Sequence, residues 1–539
     1  MTIDTRTKRR IFRPLGLALA GLLALAGCSA EAELPVTGAI IIGTADEIGT
    51  LDPAGSADRG ALLVMTNVYP HILTTLPGST EPIPDIAVSA EFTSPTEYTV
   101  VLKTGLEFAN GHELTASDVK FSIERQGAIG ADGGSSALFE RVTEIEVVDD
   151  TTVVFTLSQA NDELWPIILS SPAAAIVDEE VFSGASLTDN VEIIKGQPFA
   201  GQYTIASFRE KDLVQFQVNT AYNGALGKPQ SNTINLRHFG NAANLDRAIR
   251  NGDVDMVTRV FDPAAIANFA ADPSLTVHTV AGAEMRYLAL DPALGPFGSA
   301  TTEPDPAKAL VTRQAIAELI DRPALVGELY QGLYEPLYSF APSSVREGNE
   351  LEALYGSADG SPDTPNATAR FREAGITPPV ALTVHYAPDL YGVLGGEELD
   401  AITRQLMQGG LFTVDVVAEE SPAFVDGLAG AGFPAFVRSY YPLVFDAEAY
   451  LSAMFGPESA IAGRFTNAEV SALITTPTGG DTGETRDGVI TAAMQLLAEQ
   501  LTIIPLLQEN QVLVASTEVS GVETARDASL VLRFSSLSK

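Results

Sequence analysis

One cysteine, Cys28, stands in 539 residues. No intramolecular disulfide can form, and a zinc site built on several thiolates has no ligands. Tryptophan is also single, at Trp165. The histidines are His71, His112, His238, His278 and His385, and no two have the helical spacing of a metal pair, so no metal site is expected. Bases are scarce: 32 Lys and Arg face 69 Asp and Glu, a net charge of −37. Phosphate binding needs concentrated Lys and Arg, so this balance argues against a nucleic-acid partner and against broad adsorption to anionic lipid. After the N-terminus no uninterrupted apolar run reaches about 18 residues, so the body of the chain is not expected to span a membrane. The nucleophile elbow, the phosphate loop and the dinucleotide fingerprint are all missing, and abundant paired acids such as Glu179-Glu180 and Glu397-Glu398 read as solvated surface. No enzyme is expected, and no cofactor.

What is present is a globular composition, 45 % hydrophobic and 19 % charged. At roughly 100–200 residues per domain the length predicts two to four domains. The N-terminus carries Arg6, Lys8, Arg9, Arg10 and Arg13, then an apolar run from Leu15 to Gly27. A basic segment followed by a short apolar one is a secretory signal. Its end, Leu25-Ala26-Gly27-Cys28, resembles a bacterial lipobox, which implies lipidation of Cys28 and a signal peptide over residues 1–27. Arg9-Arg10-Ile11-Phe12 partly resembles a twin-arginine export signal, so the export route is secretory or twin-arginine. Residues 28–37 read as a lipidated tether. The expected location is the cell envelope, on the outer face of the cytoplasmic membrane or in the periplasm.

The remaining pattern is mixed α and β. Ala39–Gly43, Glu97–Lys103, Leu213–Val218, Val254–Val257 and Phe412–Val417 read as strands, and Asp149-Asp150 as a hairpin turn. Helices are expected at Ala61–Leu76, Leu245–Asn251, Leu310–Ile320, Ala401–Met407 and Val489–Gln500. Residues 341–366 read as a long surface loop and Gly479–Gly483 as a shorter one. Trp165 is read as a core residue.

The stretch Gly105–Arg125 (GLEFANGHELTASDVKFSIER) has a turn at Asn110-Gly111 and then a helix start. Thr115 is placed as N-cap, with Asp118 three residues on at the positive helix end. The whole string resembles the signature of the peptide/nickel family (family 5) of extracellular solute-binding proteins of ABC importers. The resemblance continues in order through Thr50-Leu51-Asp52-Pro53, Pro198–Tyr203, Asn219–Gly224, Gly252–Asp255, Arg313–Arg322, Glu373–Gly375, Phe445–Leu451 and Ile503–Leu507. It implies an α/β, type II-like, two-lobed periplasmic-binding-protein fold with a third domain inserted in lobe one. Lobe one would comprise 38–77, 196–280 and 505–539, the additional domain 78–195, and lobe two 281–504. It also implies a monomeric, lipid-anchored receptor that takes a peptide or peptide-like solute between its lobes and delivers it to permease and ATPase subunits. The alternatives are an orphan signalling lipoprotein of the same fold, or a binder of a non-peptide carboxylated solute.

By the same resemblance, ligand contacts fall on Ala57–Gly60, Arg286–Asp291 and Arg438–Asp446, and so on Arg59, Gly60, Tyr287, Arg438, Ser439, Tyr440, Tyr441 and Asp446. Arg59 and Arg438 could each pair with a carboxylate through a planar fork. Peptide-binding members place an Asp where this sequence has Leu443, facing the ligand's ammonium. The departure puts a free peptide N-terminus in doubt, because a buried ammonium without a partner is costly. Hinge connections are expected near Gly196–Gly201 and Val280–Gly282.

Overall fold

Short β-branched runs become the buried strands of one long sheet. In the computed structural model, residues 38–539 are described apart from 56–57, 78, 132–133, 259–262, 347, 349, 353, 358–359, 393, 457–464, 476–484 and 527–530. The signal peptide, Cys28, the tether 28–37 and the loop Gly479–Gly483 lie outside the described residues. Ile40–Thr44 pairs parallel with Thr233–His238 on one side and with Met256–Thr258 on the other. Leu213–Val218 and Tyr203–Arg209 extend that end as antiparallel strands. At the far end Val380–Tyr386 lies parallel to Phe412–Ala418 and to Ala435–Tyr440.

Two long antiparallel strands, Leu275–Leu290 and Ile503–Ser516, join these ends. The Asn510–Ser516 half of the second strand pairs with Met256–Thr258 on its other side, and the Met285–Leu290 half of the first pairs with Ala435–Tyr440. Between the halves the register breaks: Ala281 faces Asn510 and Met285 faces Gln508. Gly282, Ala283 and Glu284 therefore bulge against Glu509 alone. Gly282 is required there, since a Cβ would sit 2.6 Å from the carbonyl oxygen of Glu509.

Each half of the sheet has its own core. Met285, Leu288, Ile316, Phe340, Leu382, Tyr450 and Ile504 belong to one, and Ile40, Val64, Tyr203, Phe216, Ala515 and Phe534 to another. A third surrounds the separate antiparallel sheet of Ala87–Phe92, Glu97–Leu102, Thr152–Leu157 and Val142–Asp149, in that spatial order. Trp165 is fully buried in it. That core also draws in Ile72 and Leu73, whereas Ala175, Val177, Phe182 and Ile193 pack in the core of Ile40 and Phe216.

The signature stretch folds as its caps dictate. Thr115 and Asp118 form a capping box at the start of helix Ala116–Ile129. Arg125 on that helix makes a bidentate, buried pair with Asp52, at 2.7 and 2.8 Å. Asp52 also accepts the backbone N–H of Thr188. Asp52 of one motif thus ties together the helix of the signature stretch and the backbone at Thr188.

One helix is shorter than the periodicity predicts. The Ala61–Leu76 pattern yields a helix over Arg59–Val68, followed by a strand, Leu73–Thr75. Pro70 disfavours helical backbone at the residue before it, and Tyr69 is extended, with φ −96° and ψ 144°. Residues 196–201 do not cross between the halves of the sheet; Gly201 donates to the Val68 carbonyl within lobe one. The second crossing is the Gln508–Asn510 region of the C-terminal long strand.

Candidate functional site

The bulge at Gly282–Glu284 places an acid where the two halves of the sheet meet. Glu509, opposite it, adds a second. Arg59 begins the helix Arg59–Val68, whose N-cap Asp58 accepts the Ala61 N–H at 2.7 Å. Gly60 lets this helix start against the backbone: a Cβ there would lie 2.1 Å from the Glu47 carbonyl oxygen. The Arg59 guanidinium donates to Glu284 Oε2 at 2.6 Å and to Glu509 Oε2 at 3.0 Å. The ring of Tyr441 covers it, 4.0 Å from ring centroid to guanidinium.

Burial dominates the electrostatics. It pushes Glu509 up to about 7, against the pull of Arg59 and with the help of Glu284. Burial opposes the charge of Arg59 too, but Glu509 and Glu284 hold that guanidinium charged, above its ordinary value. The carboxyl of Asp46 is raised by burial, opposed by Arg59 and His238.

The network continues into lobe two. Tyr334 donates to Glu284 at 3.3 Å, and its ring lies 4.4 Å from the Arg286 guanidinium. Arg286 donates to Glu398 at 2.5 Å and to the Tyr330 hydroxyl at 2.6 Å, and Tyr391 donates to Glu398 at 2.7 Å. Tyr330 also donates to Glu398. Charged and aromatic groups therefore run unbroken from a lobe-one helix through the bulge into the lobe-two core.

Beside Arg59 lies a cavity of about 50 Å³, bordered by Asp46, Thr258, Tyr441, Gln511 and Arg526 among others. Burial lowers Arg526 to about 10, opposed by Glu509.

Of the residues expected at the site, Arg59 and Tyr441 meet at this cavity. Arg59 is already bonded to two carboxylates rather than left open for a ligand. Tyr287 is buried, opposite Arg438 across the sheet. Arg438, Ser439 and Tyr440 follow one another on Ala435–Tyr440, half-buried, and none borders the cavity. The Tyr440 ring packs edge-on against Tyr450 at 5.5 Å. Asp446 is drawn elsewhere: it caps helix Ala447–Phe455 through the Glu448 N–H at 2.8 Å and pairs with Arg486, whose Nη1 lies 2.9 Å away. Both of its oxygens are engaged, Oδ1 also accepting from Arg486 Nη2. Leu443 packs against the cores of lobe one and of the third domain together.

Glu284, Glu509 and Arg526 were not anticipated. The available signal was Gln508-Glu509-Asn510-Gln511, a polar run inside an otherwise apolar strand. Among the described residues, His112, Asp178 and Glu180 alone group with spacing suited to a metal ion. His112 Nδ1 lies 2.8 Å from Asp178 and 2.9 Å from Glu180. The hydrogen bond with Asp178 raises the imidazole above its ordinary value, which favours a donor to carboxylates that ties the signature turn to residues 178–180.

Separate cores joined by two strands, with charged groups converging on the junction, define a two-lobed α/β binding-protein fold. The family model for bacterial extracellular solute-binding proteins, family 5, matches residues 81–461, and the chain belongs to that family. A glutathione-binding protein of Escherichia coli O1:K1 is 24 % identical over 256 residues, 46 % of this chain and 45 % of that protein. The match thus spans under half the length of that curated relative. The structure of a Helicobacter pylori periplasmic binding protein, DppA, in complex with the peptide STSA superposes with a TM-score of 0.72 at 17 % identity, over 93 % of this chain and 98 % of the other. MoaA of Agrobacterium tumefaciens R10 in complex with mannopinic acid gives 0.71 at 19 % identity, over 93 % and 99 %.

Proposed function

We propose that this chain is the receptor of an ABC importer, which captures a peptide or peptide-like solute between its lobes and presents it to permease and ATPase subunits. The observation that carries this reading is the junction itself. Two strands pass between separate cores, their register breaks at Gly282–Glu284, and Arg59 from one lobe meets Glu284 and Glu509 at the break. Such a junction can bend without unfolding either core, and a solute that binds both lobes favours the closed form. The relatives' ligands, glutathione, the peptide STSA and mannopinic acid, support a small solute carrying carboxylate groups. The domain division set out from the sequence is part of this proposal, with lobe one at 38–77, 196–280 and a C-terminal part that begins at the Gln508–Asn510 crossing rather than at 505, since Leu506 and Leu507 pack in the other core; so is the lipid anchor on Cys28. Among the described residues no helix is long and apolar enough to cross a membrane.

Small-angle scattering of the mature protein, with and without a saturating pool of di- to pentapeptides, tests the reading. A smaller radius of gyration with the pool is expected. Identical profiles under conditions where calorimetry shows binding would overturn closure as the response.

A further inference from the structure

The cavity beside Arg59 holds a second guanidinium whose state differs from the first. Arg526 is 8 % exposed, and its Nη1 is shut off from solvent without a hydrogen-bond partner among the described residues. An arginine cannot shed its charge at neutral pH, so a buried, unmade donor on it is a standing cost. Glu509 acts on Arg526 through space, but both Glu509 oxygens accept from Arg59. Arg59 in turn has its fork filled by Glu284 and Glu509. Leu62, Leu513 and Leu532 make much of the remaining wall apolar. Tyr441, which reaches the cavity from the lobe-two segment after Ala435–Tyr440, makes the cavity an interlobe space.

We propose that Arg526 is the anion-recognition residue of the interlobe site and receives a carboxylate of the captured solute through its open guanidinium edge. This rests on the receptor reading and adds a chemical requirement: the solute carries a carboxylate on a stem that fits an apolar wall. The role expected of Arg59 passes to a residue in the C-terminal segment, and Arg59 is left to hold the two hinge acids.

The test is native mass spectrometry of the mature wild type, Arg526→Gln and Arg526→Lys against two pools of di- to pentapeptides. One pool has free C-terminal acids, the other C-terminal amides. Circular dichroism and melting temperature establish that each variant folds, and Arg526→Lys retains a cation should Arg526→Gln fail to fold. A charge-assisted hydrogen bond corresponds to about 10- to 100-fold in affinity, so wild type should retain acids over amides by that factor. Arg526→Gln should lose the selection, and Arg526→Lys should keep part of it. Equal retention of acids and amides by wild type, or unchanged selection in folded Arg526→Gln, would overturn the inference and leave the receptor reading standing. Retention of neither pool by wild type would overturn the peptide reading. Sodium succinate then decides the subsite: stabilisation of wild type but not of Arg526→Gln supports it, and equal shifts in both refute it.

Discussion

Replacing Arg59 by Met removes a charge and keeps most of the volume. The structure fixes what should follow. Glu284 and Glu509 lose the guanidinium that sits 2.6 and 3.0 Å from their oxygens, in a place where both side chains are largely buried. Breaking a buried ion pair by removing one partner costs about 3–5 kcal/mol, because the remaining charge is stranded. The loss depends on pH. Burial lifts Glu509 from an ordinary 4.5 to about 7 in the folded protein. A raised carboxyl contributes stability below its ordinary value, and that contribution is lost as pH rises toward the folded value. Arg59 pulls the Glu509 carboxyl down, so without it the value climbs further and stability falls more steeply between pH 5 and pH 8. At pH 8 Arg59→Met should lose about 3–5 kcal/mol, and the loss should be smaller at pH 5, where Glu509 is largely protonated and Glu284 is the carboxylate left without its partner. Urea unfolding of both proteins at the two pH values, followed by circular dichroism, measures this. An equal loss at both pH values, or none at pH 8, would refute the assignment of Arg59 as the counter-charge of the hinge acids.

Other consequences are as direct. Asp52→Ala strands the buried Arg125 fork and should destabilise the joint between the third domain and lobe one by about 3–5 kcal/mol, with Asp52→Ala/Arg125→Met less costly than the sum of the singles in a double-mutant cycle. Cys28→Ala should move the protein from the membrane fraction to the soluble fraction, since stable anchoring needs the acyl chains of a lipidated cysteine; an unchanged distribution would count against the anchor. Peptides should bind equally well with free and acetylated N-termini if Leu443 stands, as the family resemblance implies, where peptide-binding members have the ammonium-facing Asp; here it packs against two apolar cores. Strong loss on acetylation, read by calorimetry, would point to Glu509 or Asp46 as the ammonium partner, Asp446 being engaged by Arg486.

Local signals were legible where the chain makes its own contacts. Thr115 and Asp118 lie three residues apart and close their capping box within one helix turn. Gly252 ends its helix in a left-handed conformation at φ 73° and Asn241 caps the start, so the Leu245–Asn251 helix appears as Ala242–Asn251. Pattern alone carried the first long helix past Pro70, where backbone sterics stop it. The site was harder for a physical reason. Arg59 could be singled out as a base in an acidic chain, but its partners lie 225 and 450 residues away in sequence. Only the pairing of two long strands brings them together. Asp446 stood in a segment matched to ligand contacts, yet Arg486, 40 residues on, claims its carboxylate. Arg526 carries no motif at all; its burial, and an Nη1 without a hydrogen-bond partner among the described residues, are properties of the fold.

A site that captures a carboxylated, peptide-like solute between the lobes should carry that solute when the protein is isolated from its own cells. The most direct measurement is native mass spectrometry of the protein purified from its own membranes under non-denaturing conditions, followed by identification of any released molecule. A retained small solute with a carboxylate is expected, at about one per chain in wild type and strongly depleted in Arg526→Gln. A retained solute with no acidic group, or one held equally well by Arg526→Gln, would contradict this expectation.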